Sequence, residues 1–229
     1  MPPVAVVIPA RGESERVGAT VTSAATLPGV DVVVVVDDGS RDATAQVAQQ
    51  AGATEVVRHA RSRGKAAAME TGAERVRLLD ERDGVTRLLL FLDADLGDTA
   101  ALAGPLITPV AVGDADMTIA VFTSTVKLGG HGFVVGLSAR GIRRATGWTP
   151  TQPLNGQRSL SRAAYEAVRP LAFGYGAETA MTIEAKRRGL RIAEVEVPLA
   201  HRATGKDARS QLHRVRQFVD VAWALAWRL

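Results

Sequence analysis

Three uninterrupted apolar runs constrain this chain most: Val4–Ile8, the five consecutive valines that fill the Asp31–Val36 strand after its first residue, and Leu88–Leu92. A strand that is apolar at every position must be covered on both faces, as in a parallel sheet clad with helices. The segments between the runs supply those helices. Val17, Val21, Ala24 and Ala25 form a helical stripe ending near Pro28-Gly29. Ser40 or Asp42 can cap a helix that runs to Ala51 and stops at Gly52. Glu55–Val57 reads as a short third strand, and Gly64–Leu79 as a helix with Ala68, Met69, Ala73 and Val76 inward. Repeated strand–helix alternation predicts an α/β fold with a Rossmann-like, mostly parallel central sheet and helices on both faces.

Ligands in such sheets gather at the carboxyl ends of the strands. P-A-R-G-E follows the first strand, D-D-G-S the second and D-A-D the fourth. If the chain is still extended at Asp93 and Asp95, positions two apart point the same way. Two like charges at the rim of a core strand need compensation. A magnesium or manganese ion shared with a phosphate supplies it, because hard cations take oxygen ligands. Two solvated aspartates in a turn are the plainer alternative. Glu13 and Asp38 face the same cleft, where a carboxylate can accept from a ribose hydroxyl or a uracil imide. Asp37 and Asp38 before Gly39 are equally good turn formers. Lys65 opens a helix, and its charge with that N-terminus suits a diphosphate; the bland reading is a solvated lysine.

Several classes drop out. G-x-G-x-x-G is absent after the first strand and no Walker lysine motif occurs, which disfavours dehydrogenases and common nucleoside triphosphatases. The 229 residues contain no cysteine, so disulfides and thiolate metal sites are excluded. The opening M-P-P-V-A-V-V-I-P reads as a strand rather than a leader, and no apolar run approaches the ~20 residues that span a bilayer. A cytoplasmic protein is expected, with peripheral contact to the inner membrane face as a variant. Net charge is +4, with clusters at Arg140, Arg143 and Arg144 and between His201 and Arg216. Such patches suit phosphates or anionic lipid. With aromatics at only 4% and none interleaved with the basic residues, nucleic-acid binding is not expected.

V-V-I-P-A-R-G-E, V-V-D-D-G-S, R-G-K-A-A-A-M and F-L-D-A-D-L together resemble family 2 glycosyltransferases, in that family's order and spacing. The resemblance implies a glycosyltransferase A fold in one domain. Residues 1–98 would be the nucleotide-sugar-binding half, and residues 99–229 the acceptor-binding half with a C-terminal helix. It implies a metal-dependent hexosyltransferase using a UDP- or GDP-linked sugar and Mg²⁺ or Mn²⁺. Pro9, Ala10, Glu13 and Asp38 would hold base and ribose, and Lys65 would lie near ribose and diphosphate. Asp93 would contact ribose or metal, and Asp95 would ligate the metal and serve catalysis. Arg11-Gly12 stands where the family often has Tyr-Asn, so Arg11 replaces a stacking ring. Gly97 stands where the polyprenyl-phosphate mannosyltransferase branch has a metal-ligating glutamine.

In the second half, Met117–Phe122 reads as a strand, Thr123–Gly132 as a mobile glycine-rich loop, and Val135–Thr146 as a helix. Q-P-L-N-G-Q-R, G-Y-G-A-E and V-E-V-P-L-A-H-R are similar to the acceptor half of retaining glucosyl- and mannosyl-phosphoglycerate synthases. By that resemblance Gly156, Gln157 and Arg158 face the substrate, and His201 completes the metal shell in place of the ligand missing at Gly97. Glu178 is a candidate catalytic residue whose role stays open: helix-dipole complement, orienter of a hydroxyl, or base. The acceptor is expected to be a hydroxyl or phosphate on a phosphorylated small molecule or lipid phosphate. The last helix, Gln211–Leu229, is expected to bury Leu212, Val215, Val219, Ala222 and Ala226. Trp223 and Trp227 would serve core packing, a homodimer contact or a membrane surface. A sugar-phosphate nucleotidyltransferase and a catalytically silent nucleotide-sugar-binding protein are the rival classes.

Overall fold

A computed structural model describes residues 1–123, 132–200 and 218–228. Seven strands form one sheet in the order β3-β2-β1-β4-β6-β5-β7. They are β1 (Val4–Ala10), β2 (Val30–Asp37), β3 (Glu55–Arg58), β4 (Leu88–Phe91), β5 (Met117–Phe122), β6 (Arg158–Leu160) and β7 (Ile192–Val197). Every pairing is parallel except those of β6, which runs antiparallel between β4 and β5. The expected mostly parallel sheet is therefore present. Strand alternation divides its side chains between two cores. Val4, Val6, Ile8, Val33, Val35, Leu88 and Leu90 face α1 (Val17–Ala24) and the segment at residues 97–111. Ala5, Val7, Val34, Val36, Leu89 and Phe91 face α3 (Lys65–Asp83), α6 (Arg162–Val168) and α7 (Ala177–Arg187). The other helices among the described residues are α2 (Thr44–Gln50), the short α4 (Thr108–Ala111) and α5 (Gly132–Thr146), with a further helical stretch at residues 218–226.

The boundaries differ from expectation in ways that move the site. β1 continues to Ala10 and β2 to Asp37, carrying the strand register into both motifs. β4 instead stops at Phe91, so Asp93, Ala94 and Asp95 leave the strand and the rule that places alternate residues on one face does not govern them. β6 was not anticipated at all. Its three residues sit at the sheet's centre, each fully buried.

The expected burial face of the last helix is corrected. Residues 218–226 are helical, but Val221, Ala224 and Leu225 are the buried positions, packed with Val134, Ile142 and Ile183. Val219 and Ala226, expected inside, are exposed. Trp223 and Trp227 are also exposed, with ring centroids 6.1 Å apart, so they are not core residues. Alanines on both sides of the helix left the hydrophobic stripe poorly defined in the sequence. Among the described residues no helix is long and apolar enough to cross a membrane. The glycine-rich loop at residues 124–131 and the basic stretch at 201–217, including His201, lie outside the described residues.

Candidate active site

A cavity of about 370 Å³ opens over the carboxyl ends of β1, β2 and β4. Pro9, Ala10, Arg11, Glu13, Asp38, Lys65, Asp93 and Asp95 all line it, so the structure brings eight of the sequence-derived candidates to one cleft. Phe173, Gly174 and Asp220 close its other side. Gly174 opens the G-Y-G-A-E segment already singled out in the sequence, whereas Phe173 and Asp220 went unread, since nothing in their local sequence marks a cleft wall.

The centre of the cleft is ionic. Lys65, the first residue of α3, places Nζ 2.6 Å from Asp93 Oδ1 and 3.1 Å from Glu178 Oε1. Burial works against the ammonium, but the two carboxylates outweigh it and hold its pKa above the ordinary lysine range. Lys65 and Asp93 are each about a quarter exposed, whereas Glu178 is buried in the first turn of α7. Gly156 forms the floor: a Cβ there would meet Lys65 Nζ at 2.3 Å. Only glycine leaves the ammonium its place.

Gln157, expected to face the substrate, is wholly buried beneath this cluster. Its Oε1 accepts from Asp93 N at 2.9 Å and its Nε2 donates to Asp93 Oδ2 at 2.7 Å. It therefore holds the aspartate rather than touching the cleft. Arg158 is corrected likewise. Its buried guanidinium donates to Asn155 O, Pro153 O and Thr182 Oγ1, and burial lowers its pKa to about 10 despite the nearby Glu178 carboxylate. Arg158 remains charged near neutrality and shapes the 153–155 segment from within.

The Asp93–Asp95 turn is fastened from α1. Arg16 Nη1 donates to Asp95 O at 2.9 Å, and Thr20 Oγ1 donates to Ala94 O and accepts from Gly97 N, both at 2.8 Å. Gly97 has φ +56°, a left-handed backbone that strains a glutamine. Arg16 and Thr20 were missed because their role depends on a contact across more than seventy residues of chain.

Asp38 does not offer a free edge to a base. Its Oδ1 accepts from His59 Nδ1 (2.7 Å) and Arg63 N (2.8 Å), and its Oδ2 from Ser62 Oγ (2.7 Å) and Gly64 N (2.9 Å). A carboxylate has about four acceptor sites, so these donors saturate it. Burial raises its pKa, but the hydrogen bonds prevail and hold it at about 2. The expected uracil-imide contact is corrected: Asp38 pins the loop that leads into Lys65.

Residues 5–155, about two-thirds of the chain, match the family described as glycosyl transferase family 2. The chain belongs to family 2 of the glycosyltransferases. This transferase is 28% identical over 218 residues to glycosyltransferase AglJ of Haloferax volcanii, covering 89% of the chain and 65% of the relative. It thus spans under two-thirds of that protein. It is also 28% identical over 202 residues to protein MJ1222 of Methanocaldococcus jannaschii, covering 84% of the chain and 79% of the relative. Glucosyl-3-phosphoglycerate synthase from Mycobacterium tuberculosis superposes with TM-scores of 0.76 in its phosphoglyceric acid complex and 0.75 in its complex with Mn²⁺, UDP and phosphoglyceric acid. Identities are 25% and 26%; each match covers 99% of this chain, and 80% and 78% of the neighbour. The glycosyltransferase A fold is thereby established for this chain.

Proposed function

We propose that this glycosyltransferase moves a hexose from a nucleoside-diphosphate sugar to a hydroxyl or phosphate of a phosphorylated small molecule. The observation that carries the reading is the Lys65–Asp93–Glu178 cluster opening into the cleft beside Asp95. The neighbour's complex with Mn²⁺, UDP and phosphoglyceric acid supports both the donor class and the acceptor class. Residues 1–98 then serve the donor and residues 99–229 the acceptor, with Gly156 and Gln157 reaching back beneath the donor site.

The residues fit a divalent cation of the Mg²⁺ or Mn²⁺ type. Asp95 and Asp93 bring hard carboxylate oxygens to the cleft. Among the described residues no group of three or more His, Cys, Asp or Glu side chains gathers to hold an ion, and in this reading the donor's diphosphate would share in holding it. His201, the further ligand that the sequence resemblance implies, lies outside the described residues. The ion, when bound, offsets negative charge on the departing nucleoside diphosphate. Lys65 adds a fixed positive charge at the same place.

Glu178 is a positioning residue in this reading. Its carboxylate is buried, and Oε1 lies 3.1 Å from Lys65 Nζ, so it helps hold the ammonium at the edge of the cleft. If Glu178 takes no proton from the acceptor, front-face transfer with retention of configuration is the course this reading favours. The test is a thermal-shift screen of UDP- and GDP-sugars with and without Mn²⁺. A ligand present at a hundred times its Kd stabilises by ~2.7 kcal/mol. Stabilisation that requires both sugar nucleotide and metal supports the reading, while pyrophosphate release from a sugar phosphate plus a nucleoside triphosphate would make the chain a nucleotidyltransferase.

A further inference from the structure

A second cavity, about 530 Å³, adjoins the donor cleft and shares Arg11 and Ser62 with it. Three strand ends build it. Arg11 comes from the end of β1, Arg41 from the turn after β2, and Arg58 and Arg61 from the end of β3 and the loop that follows. No carboxylate lines it. Arg58 is partly compensated, with Nε 3.2 Å from the buried Asp37 Oδ2 and Nη2 donating to Ser40 O at 2.8 Å. Arg11, Arg41 and Arg61 are exposed and form no ion pair with any described residue. His59 offers no acceptor either, since Nδ1 is committed to Asp38 and Nε2 to Thr71 Oγ1 at 2.9 Å.

Solvated surface arginines usually point apart and diffuse their charge into water. Here four arginines from three strand ends line one concavity, where each raises the electrostatic cost of the others. The planar fork of a guanidinium matches two oxygens of a phosphate, and several forks around one hollow match a multiply charged anion. We propose that this cavity binds a free phosphate-type anion of the pyrophosphate class, separate from the diphosphate of a donor held at Lys65. Arg11 and Ser62 line both cavities, and Ser62 also donates to Asp38. An anion in the arginine cavity thus touches the loop that the donor cleft depends on, without occupying the cleft.

The inference does not need the transferase reading, and one titration series separates the two. Inorganic pyrophosphate is titrated calorimetrically into the wild-type chain, the Arg41→Ala/Arg61→Ala variant and the Lys65→Ala variant. Arg41 and Arg61 lie outside the donor cleft and are exposed, so their removal leaves the fold in place. The expected result is binding to wild type, at least about tenfold weaker binding to the arginine variant, and near-wild-type binding to Lys65→Ala. Binding to wild type should also persist with the cleft saturated by UDP–Mn²⁺. Unchanged affinity in the arginine variant, no binding to wild type at millimolar pyrophosphate, or loss confined to Lys65→Ala overturns the proposal. The melting shift given by UDP–Mn²⁺ alone is the control: its absence in wild type counts against the donor site and leaves the anion result standing.

Discussion

Both ends of β4 carry a cation set among carboxylates, and the two clusters are built oppositely. At the amino end, Arg87 is almost wholly buried and its guanidinium donates to Asp31 at 2.9 Å, Asp80 at 3.0 Å and Asp83 at 2.8 Å. Asp80 is braced again by Arg162 at 3.1 Å. At the carboxyl end, Lys65 has two carboxylates, is a quarter exposed and borders a cavity. The first cluster engages all three nitrogens of its cation and borders no part of the donor cleft. The second leaves Lys65, Asp93 and Glu178 with a net charge of −1 at the edge of a cleft, where a further cation and a phosphate can join. The same ion-pair chemistry serves as a clamp at one end and as a receiving site at the other.

Removing the clamp should have the largest effect. Arg87→Met leaves the buried Asp80 with Arg162 as its remaining cation and should cost about 3–5 kcal/mol of unfolding free energy, the usual penalty for breaking a buried pair. Urea denaturation measures it, and a loss under ~1 kcal/mol would mean that water replaces the guanidinium and the two ends are alike. At the other end, Asp95→Asn should lower metal-dependent transfer by about 10²–10³-fold, comparable to loss of one electrostatic stabiliser. Its ligand-free melting temperature should stay unchanged or rise, because carboxylate crowding is relieved. A marked drop would assign Asp95 to the scaffold.

Asp38 sharpens the comparison from a different side, since it is a closed cluster at the open end. Its folded pKa of about 2 lies below the ordinary aspartate value. The stabilisation is therefore complete above about pH 4 and lost as pH falls towards 2, worth about 2 kcal/mol. Asp38→Ala should flatten that part of the stability–pH curve and speed amide exchange at Arg63 and Gly64. It should weaken uridine and adenosine nucleotides equally; a loss confined to uridine would restore the imide contact. The smallest effect belongs to Gly156→Ala, whose new Cβ pushes aside only the mobile end of Lys65. Transfer should fall about tenfold while stability changes by less than ~1 kcal/mol. Steady-state kinetics beside a melting curve tests this, and equal damage to both would place Gly156 in the core.

What was legible in the sequence was local. Valine and leucine runs announce β1, β2 and β4, because a strand covered on both faces has no polar position to hide it. The D-A-D spacing announced a pair of cleft carboxylates, although the turn that aims them was not visible. Contacts made across long stretches of chain were silent. Gln157 and Asp93 are 64 residues apart, Arg87 and Asp31 are 56 apart, and no periodicity links either pair. Asp38 misled for a related reason: its turn was readable, but the four donors from residues 59–64 that occupy it were not. The three-residue β6 was missed because so short a strand gives no alternation to count.

That short strand has a consequence for the order in which the molecule comes together. A ribosome delivers β4 long before β6, since Asp93 and Gln157 are separated by 64 residues. Until β6 arrives, the Leu-Leu-Leu-Phe edge of β4 stands bare on one side, a template for pairing with another nascent chain. The residues that finally cap this edge immediately follow Gly156 and Gln157, which floor and brace the lysine site. Sealing the aggregation-prone edge and arming the catalytic cleft are thus one and the same event during biogenesis.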